Sequence, residues 1–180
     1  LHGPRLLSPG GALFQSEQMD ADLLSMREVY RGLGYLDAVV ELERLEFNED
    51  RSRVNIRVTV DEGSKYQIGS LEIRGVELIP DLRDPRGRGI EQLAPLLFDE
   101  EELLALCASK AGCVFERAGL SSDERALRDY YGERGHLSHP SLPLANSWSF
   151  LDPLLVFDSE RAEVHVTYRL AQGREFYIRE

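Results

Sequence analysis

The sequence predicts an α+β fold of tandem β-α-α-β-β units, in which each unit is a three-stranded mixed sheet covered on one face by two helices. The first observation behind this prediction is a pattern of 26 residues that runs from Gly11 to Leu36 and again from Gly112 to Leu137, at a constant offset of 101. Similarity at a fixed offset marks tandem copies of one structural unit. The second observation is that a helical period in each copy gives way to two-residue alternation, which is typical of a strand.

The shared pattern reads G-x-x-F-x4-[ML]-x2-D-x3-[ML]-x3-Y-x3-G-[YH]-L in both copies. A second shared block, Gly63–Ile68 in the first copy and Gly173–Ile178 in the second, has an offset of 110, so the second copy is nine residues longer between the blocks. We therefore predict three segments. Residues 1–63 form a unit that lacks its first strand, residues 64–173 form a complete unit, and residues 174–180 begin a following unit.

Length, charge and hydropathy narrow the class of protein. The chain has 180 residues with a net charge of -11, which argues against binding to nucleic acid or to anionic lipid headgroups. The sequence contains no run of about 18 apolar residues that would span a bilayer as a helix. Its first residues lack the basic and apolar segments of a signal peptide. These observations are compatible with a cytosolic protein or with a part of a longer precursor. The repeat favours a part of a longer precursor.

In the first copy, a helix is predicted by apolar residues at i, i+4, i+7, i+11 and i+14, namely Met19, Leu23, Met26, Tyr30 and Leu33. Gly34 ends this helix, because glycine adopts the left-handed backbone of a helix C-terminus without a steric penalty. A strand follows at Ala38–Phe47, and a polar turn at Asn48–Ser52. From Val54 to Val60, apolar residues alternate with polar ones, which predicts an antiparallel strand with one buried face.

The second copy begins with a strand that starts at Tyr66 and continues through Ile73. A polar loop rich in Pro, Gly and Arg follows at Pro80–Gly89. Asp99 is the predicted N-cap of the next helix, with Glu102 at the third helical position in a capping-box pattern. Four adjacent acids could also form a cation site, but helix capping explains them.

An insertion from Ser141 to Pro153 enlarges the hairpin of the second copy, before the alternating strand Val164–Leu170. The insertion holds Trp148, the only tryptophan of the sequence. Its apolar residues favour one of two roles, contact with a protein partner or packing on the same domain. These residues are Leu142, Leu144, Trp148, Phe150 and Leu151.

This order of elements resembles the POTRA domain, whose name means polypeptide-transport-associated. The residues that carry the resemblance are Val29–Ala38, Val58–Gly63 and Ile68–Gly75. The resemblance covers nearly the whole chain and is closest to the tandem domains that precede the outer-membrane barrel in BamA-like assembly factors. The second copy departs from the pattern at His136, which replaces a tyrosine, and at Gln172, which replaces an acid.

The resemblance implies a location on the periplasmic side of the outer membrane, with membrane contact only through a barrel outside this chain. It also implies two kinds of partner, unfolded outer-membrane polypeptides and accessory envelope proteins. The leading hypothesis is therefore a module that binds β-rich clients transiently.

Sheet edges are the predicted binding sites, because an edge strand presents unpaired N–H and C=O groups to which an extended chain can add. The candidate contact strands are Ala38–Phe47 in the first unit and the stretch after Leu137 in the second. The sequence does not identify which strand of a unit is the free edge. The candidate binding residues are Val39, Val40, Glu41, Leu42 and Glu43.

The alternative hypothesis is a static spacer or docking scaffold of a secretion or envelope complex that touches no client. The two enlarged loops would then be the surfaces that contact a partner. The candidate residues in them are Arg83, Arg86, Arg88, Trp148 and Phe150.

No catalytic residue, cofactor or metal site is predicted, and the chain is not expected to be an enzyme. It lacks a G-x-S-x-G elbow, a glycine-rich phosphate loop and an H-E-x-x-H motif. His136 and His139 are expected to be structural residues at a helix-to-strand turn. Tyr30 and Tyr131, which the repeat pairs, are expected in the core with the hydroxyl near its rim.

Cys107 and Cys113 lie six residues apart and allow two main interpretations. They are either two small buried apolar residues near a helix end or a short-loop disulfide of an oxidising compartment. Metal ligation is disfavoured, since neither a C-x-x-C motif nor a second pair is present.

The tail provides a further expectation. Its segment Phe176–Ile178 resembles the start of a first strand, so we expect it to pair along an exposed sheet edge, of this molecule or of a neighbouring one.

Overall fold

A computed structural model of the chain describes residues 16–50, 52–80 and 89–177. The chain divides into two compact units, the first comprising Leu1–Arg31 with Tyr35–Ser64 and the second comprising Gly32–Gly34 with Lys65–Glu180. Both units contain strands, and helices are present in each, so the α+β class is confirmed. In the part of the chain that the structure describes, no helix is both long enough and apolar enough to cross a membrane.

The first unit contains helix α1 (Ser16–Gly32) and strands β1 (Val39–Phe47) and β2 (Val54–Asp61). The strands form a two-stranded antiparallel sheet, with a bulge between Leu42 and Arg44. The predicted helix and both predicted strands of this unit are confirmed. Residues 1–15, with which the predicted first unit begins, lie outside the described residues.

The second unit contains a mixed four-stranded sheet of order β4-β3-β6-β5, in which β3 and β6 are parallel and the other neighbours antiparallel. Its elements are β3 (Gln67–Ile79), β4 (Ile90–Ala94), α2 (Glu100–Leu106), α3 (Arg117–Glu133), β5 (Ser149–Asp158) and β6 (Glu163–Ala171). The prediction of three strands is wrong for this unit. Strand β3 is 13 residues long, and its last part, Gly75–Ile79, pairs with the additional strand β4.

One face of this sheet packs on the two helices. Alternate residues of β6, from Val164 to Leu170, are buried on that face beside Ile73 of β3. Helix α2 contributes Leu103, and helix α3 contributes Leu127 and Tyr131, all fully buried. The helices are thus held by apolar burial, which supplies most of the stabilisation of a short helix in a folded domain.

The opposite face of the sheet carries a smaller apolar cluster of Val76, Leu78 and Ala171. Leu144 and Leu151 of the insertion pack against this cluster. Leu144 lies in a short 3-10 helix, Leu144–Asn146, and Leu151 lies in β5. For these two leucines the structure therefore favours packing on the same domain over contact with a partner.

Two aspartates organise the helices of the second unit. Oδ1 of Asp99 accepts hydrogen bonds from the backbone N–H groups of Glu101 (2.9 Å) and Glu102 (3.3 Å), so the predicted N-cap is confirmed. The Glu102 carboxylate does not return to the cap and instead accepts from the Tyr130 hydroxyl at 2.5 Å. The carboxylate of Asp123 is fully buried on α3 and accepts from the N–H of Ala108 at 2.6 Å, which fixes the connection between α2 and α3.

In this structure the two cysteines are free thiols and form no disulfide with each other. Cys107 is buried at the end of α2, where its Sγ donates to the carbonyl of Leu103 at 3.6 Å. Cys113 is exposed in the following turn, where its carbonyl accepts from the N–H of Ile68 at 2.8 Å. Because these contacts hold one thiol inside and the other outside, the interpretation as two buried residues holds only for Cys107.

Within this chain, the described part of the tail does not extend along a sheet edge, and its pairing with the edge of a neighbouring molecule stays a prediction. Glu175 instead forms an antiparallel bridge with His136, and the N–H of Phe176 donates to the carbonyl of Gly135 at 2.9 Å. The tail therefore pairs with the turn that follows α3. Ile178 lies outside the described residues.

Candidate functional site

Strand β1 contains all five candidate binding residues, from Val39 to Glu43. Its single partner among the described residues is β2, with which Val40 pairs opposite Val60 and Leu42 opposite Val58. The other side of β1 therefore presents backbone N–H and C=O groups that no described strand pairs. A backbone edge of this kind is a template for one more strand.

The second unit indicates which strand of the first unit is outermost. There, the hairpin β5–β6 corresponds by the repeat to β1–β2, and β6 pairs on its other side with β3 while β5 lies at the edge of the sheet. If both copies share this order, β1 is the edge strand and the second side of β2 is the position for the first strand of its unit. The sequence alone left this choice open.

The side chains of β1 are mixed in character. Val39 and Leu42 are 46% and 39% exposed, and the strand also carries three glutamates. Glu43 lies at the bulge, where its carboxylate accepts from the Thr59 hydroxyl at 3.2 Å and lies 3.6 Å from Arg57. Exposed ion pairs of this kind contribute little to stability.

Strand β5 is the corresponding edge of the second unit, and it is interrupted. Its register with β6 shifts between Leu151 and Leu154, where Pro153 has no N–H to offer a partner. The guanidinium of Arg169 on β6 donates to the carbonyl of Asp152 at 2.5 and 3.2 Å and so holds the bulge. Beyond the bulge, Leu154, Val156 and Phe157 are exposed on a regular segment. The sequence signal for this interruption was the Asp-Pro pair inside an apolar run.

The partner role predicted for Trp148 is corrected by its burial. Its side chain is 1% exposed, and its ring lies 5.9 Å from that of Tyr131 in the core of the second unit. Phe150 is half-buried, with its ring 5.1 Å from that of Tyr168. Both aromatic residues therefore stabilise their own domain. The other partner-loop candidates, Arg83, Arg86 and Arg88, lie outside the described residues.

The two departures of the second copy from the repeat, His136 and Gln172, contact each other. Nδ1 of the buried His136 lies 2.9 Å from the backbone carbonyl of Gln172, so this nitrogen carries the proton. The Gln172 side chain accepts from the Tyr131 hydroxyl at 2.9 Å and from the Leu97 N–H at 2.7 Å, and it donates to the Pro95 carbonyl at 2.8 Å. An acidic residue in place of Gln172 could accept the bonds from the Tyr131 hydroxyl and the Leu97 N–H. Its carboxylate could not donate the third bond, to the Pro95 carbonyl.

His136 and His139 have the structural roles that we expected. Tyr131 lies in the core as expected, but its hydroxyl is buried and does not lie near the rim, and Tyr30 is only half-buried. His139 is exposed and its Nδ1 accepts from the N–H of Ser141 at 3.1 Å, apart from the buried His136 network. Tyr131 is fully buried, and burial raises the pKa of its hydroxyl well above the usual range. Over residues 16–50, 52–80 and 89–177, no three His, Cys, Asp or Glu side chains are grouped as metal ligands would be.

Comparison with known proteins identifies the family. The family model described as POTRA, surface antigen variable number repeat, matches residues 6–63 and 95–173 of this chain. The chain belongs to the POTRA family. The two matched ranges correspond to the two copies of the repeat, so the chain carries POTRA domains in tandem.

Two curated proteins and one crystal structure are similar to these POTRA domains. An outer membrane protein assembly factor of Treponema pallidum is 28% identical over 139 residues, which cover 75% of this chain and 14% of that protein. The outer membrane protein assembly factor BamA of Neisseria meningitidis is 22% identical over 168 residues, which cover 93% of this chain and 17% of that protein. The chain thus spans about one sixth of the length of these two relatives.

The crystal structure is that of BamA from Haemophilus ducreyi lacking POTRA domains 1–3. It has a TM-score of 0.50 and 15% identity, over 90% of this chain and 24% of that one. At this identity the likeness shows a shared fold. It agrees with the mixed sheet and paired helices of the second POTRA unit.

Proposed function

We propose that this chain is a periplasmic polypeptide-binding module of an outer-membrane protein assembly machine, and that it binds β-rich clients by pairing with the edge strand β1. The POTRA family and the two relatives described as assembly factors support the general role. The observation that supports the mechanism is the side of β1 that no described strand pairs.

Backbone pairing suits a module that handles many clients. Hydrogen bonds to main-chain groups are available from any extended sequence, while side-chain contacts at alternate positions add modest selectivity. Val39 and Leu42 provide exposed apolar area beside the edge, on a strand that is otherwise charged. Such a surface favours weak binding and release, which a transfer step requires.

Site-specific photo-crosslinking tests the proposal. A photoreactive amino acid at Val39 or Leu42 is compared with the same group at Leu24, which is 52% exposed on α1 and so controls for simple accessibility. With a urea-unfolded outer-membrane protein as the client, we expect cross-links from both β1 positions and few from Leu24. Equal yields at the three positions would contradict edge-strand binding.

A second candidate function is a static spacer or docking scaffold that binds no client. The interrupted edge of β5 favours it, because Pro153 and the bulge beside it are features that prevent strand addition in soluble proteins. Under this hypothesis β1 and β5 behave alike, and neither cross-links to an unfolded client. Under the leading hypothesis β1 cross-links and β5 is the weaker site.

A further inference from the structure

An open groove lies at the end of α3 in the second POTRA unit. Its volume is about 1220 Å³, and residues that line it include Leu97, Phe98, Leu137, Phe176 and Tyr177. Leu137 and Tyr177 are 46% and 81% exposed. The turn at Gly135 forms part of its wall. The groove is thus largely apolar and aromatic, beside a glycine turn.

The second unit also contains a closed arrangement around a similar turn, at Gly34. The carbonyl of Gly34 accepts from the N–H of Tyr66 at 2.8 Å, and the carbonyl of Tyr66 accepts from the N–H of Phe115 at 3.0 Å. A Cβ placed on Gly34 would lie 2.9 Å from both the Phe115 carbonyl oxygen and Cγ1 of Val114. Three parts therefore meet here: a glycine turn, the start of a strand, and the segment Gly112–Phe115.

The repeat maps two of these parts onto the groove. Gly34 corresponds to Gly135 at the offset of 101, and Tyr66 corresponds to Phe176 at the offset of 110. The contacts agree, since the carbonyl of Gly135 accepts from the N–H of Phe176 at 2.9 Å. Both glycines also have a left-handed backbone, with φ of +96° and +83°. The likeness of the two turns is therefore one of geometry as well as of sequence.

The third part is the segment with which each copy of the repeat begins. Gly112–Phe115 carries the pattern G-x-x-F, as does Gly11–Phe14. In the second unit this segment pairs with the start of β3 through two more backbone bonds, Ile68 N–H to the Cys113 carbonyl at 2.8 Å and Gly112 N–H to the Ile68 carbonyl at 2.7 Å. Its phenylalanine is 2% exposed.

We infer that the groove beside Gly135 is the docking surface for the G-x-x-F segment of a further POTRA copy that continues the array after the tail. The segment would pair with the backbone at Phe176 and Tyr177 and place its phenylalanine near Leu97 and Leu137. The apolar lining of the groove matches the apolar side chains of such a segment. This inference does not involve β1 or a client, so it can fail without the proposed function failing, and the reverse.

A chain extended in register tests the inference. Residues 1–178 are joined to residues 69–180, which makes Phe176–Ile178 the start of the first strand of the added copy. Residues 1–178 alone carry the isotope label. We expect the amide signals of Gly135, His136 and Leu137 to shift relative to the 1–180 chain.

The control joins residues 1–180 to residues 64–180 through a flexible Gly-Ser spacer. Both copies are then complete but out of register, and no shift is expected. Unshifted signals in the in-register chain with a folded added copy would overturn the inference.

A peptide titration decides the matter if the added copy does not fold. A peptide of residues 110–117 with Cys113→Ser is added to the labelled 1–180 chain. We expect shifts at Gly135, Phe176 and Tyr177, and an affinity about tenfold lower for the peptide with Phe115→Ala, because the buried ring is lost. In that case, absence of shifts at about millimolar peptide, or equal affinity of the two peptides, would overturn the inference.

Discussion

The hydroxyl of Tyr131 donates a hydrogen bond to Oε1 of Gln172 at 2.9 Å, in the core of the second POTRA unit. The bond joins a tyrosine that both copies of the repeat share to a glutamine that only the second copy has. It also links the end of α3 to the residue after β6, the two points from which the groove beside Gly135 is built.

Substitution of Tyr131 and substitution of Gln172 should both destabilise the second unit, but by different amounts. Tyr131→Phe loses one hydrogen bond, and we expect a cost of about 1 kcal/mol in the free energy of unfolding. Gln172→Leu leaves the Tyr131 hydroxyl, the Leu97 N–H and the Pro95 carbonyl without their partner, so the expected cost is about 2–4 kcal/mol. Urea unfolding followed by Trp148 fluorescence measures both. Equal costs would show that Gln172 is not the centre of the network.

Asp123 and Asp22 occupy the same position of the repeat and provide a matched pair of variants. Asp123 is fully buried and accepts from the Ala108 N–H and, at 2.6 Å, from the Tyr168 hydroxyl. Asp22 is exposed, and its hydrogen bond comes from the Gln18 side chain at 2.9 Å. Asp123→Ala leaves buried donors unpaired, so we expect a cost of about 3 kcal/mol or more. Asp22→Ala should cost less than about 0.5 kcal/mol. Thermal and urea unfolding of both variants check this, and a similar cost at the two positions would contradict the account.

The Cys107 thiol should make the second unit less stable in alkaline solution. Burial, together with the charge of Asp123, raises the pKa of the Cys107 thiol from its ordinary value of 9.0 to about 12. The folded chain therefore holds this proton more tightly than the unfolded chain does. The resulting contribution to stability is complete below pH 9.0 and is lost as the pH rises from 9.0 towards about 12.

Unfolding of Cys107→Ala at several pH values measures this contribution. We expect its stability to fall less steeply between pH 9 and pH 11 than that of the unsubstituted chain. Some loss should remain, because burial also raises the pKa of Tyr131 and of Tyr168. The control is Cys113→Ala, since this thiol is exposed, and its curve should be parallel to that of the unsubstituted chain. Parallel curves for all three proteins would refute the role of Cys107.

Alanine substitution of two glycines that share a backbone conformation distinguishes the cost of backbone strain from the cost of steric contact at the groove. Gly112 and Gly135 both have a φ of +83°. A Cβ on Gly112 would meet no atom within 4 Å, whereas a Cβ on Gly135 would lie 2.8 Å from the Phe176 carbonyl oxygen. Both substitutions to alanine should cost about 1 kcal/mol for the left-handed backbone. Gly135→Ala should in addition displace the tail, so the Phe176 amide should exchange its hydrogen faster in this variant than in Gly112→Ala. Equal exchange would mean that the tail is not held at Gly135.

Sequence periodicity predicted the elements whose residues alternate or recur regularly. Helix α1 and strands β2 and β6 are of this kind, and in β6 the alternation matches the residues that are buried, from Val164 to Leu170. Strand β4 was missed, since five residues after an arginine-rich loop carry too few apolar positions to show a period. The sequence left open whether Trp148 contacts a partner or packs on its own domain, because an insertion has no counterpart in the repeat and its fold depends on distant residues.

The candidate site was predictable only in part. The sequence indicated a hairpin with an exposed edge and placed Val39–Glu43 on it. The choice of β1 as the outer strand needed the sheet order of the second unit, which is a property of long-range pairing. Likewise, His136 and Gln172 were visible as departures from the repeat. Their hydrogen bond across 36 residues was not, since spacing along the chain does not encode it.

Amide-proton NMR of the isotope-labelled chain, titrated with an extended peptide copied from an outer-membrane β-strand, tests the central claim most directly. Two further peptides carry N-methyl groups on alternate residues, one set on each face of the strand. If the peptide pairs through its backbone, the amide signals that shift belong to β1 alone. These shifts should persist when the order of side chains in the peptide is scrambled. Backbone pairing also predicts that one N-methylated peptide loses binding while the other retains it, because only alternate N–H groups of an added strand face the edge. The absence of shifts at about millimolar peptide, or equal binding by both N-methylated peptides, would contradict edge-strand binding and favour the scaffold.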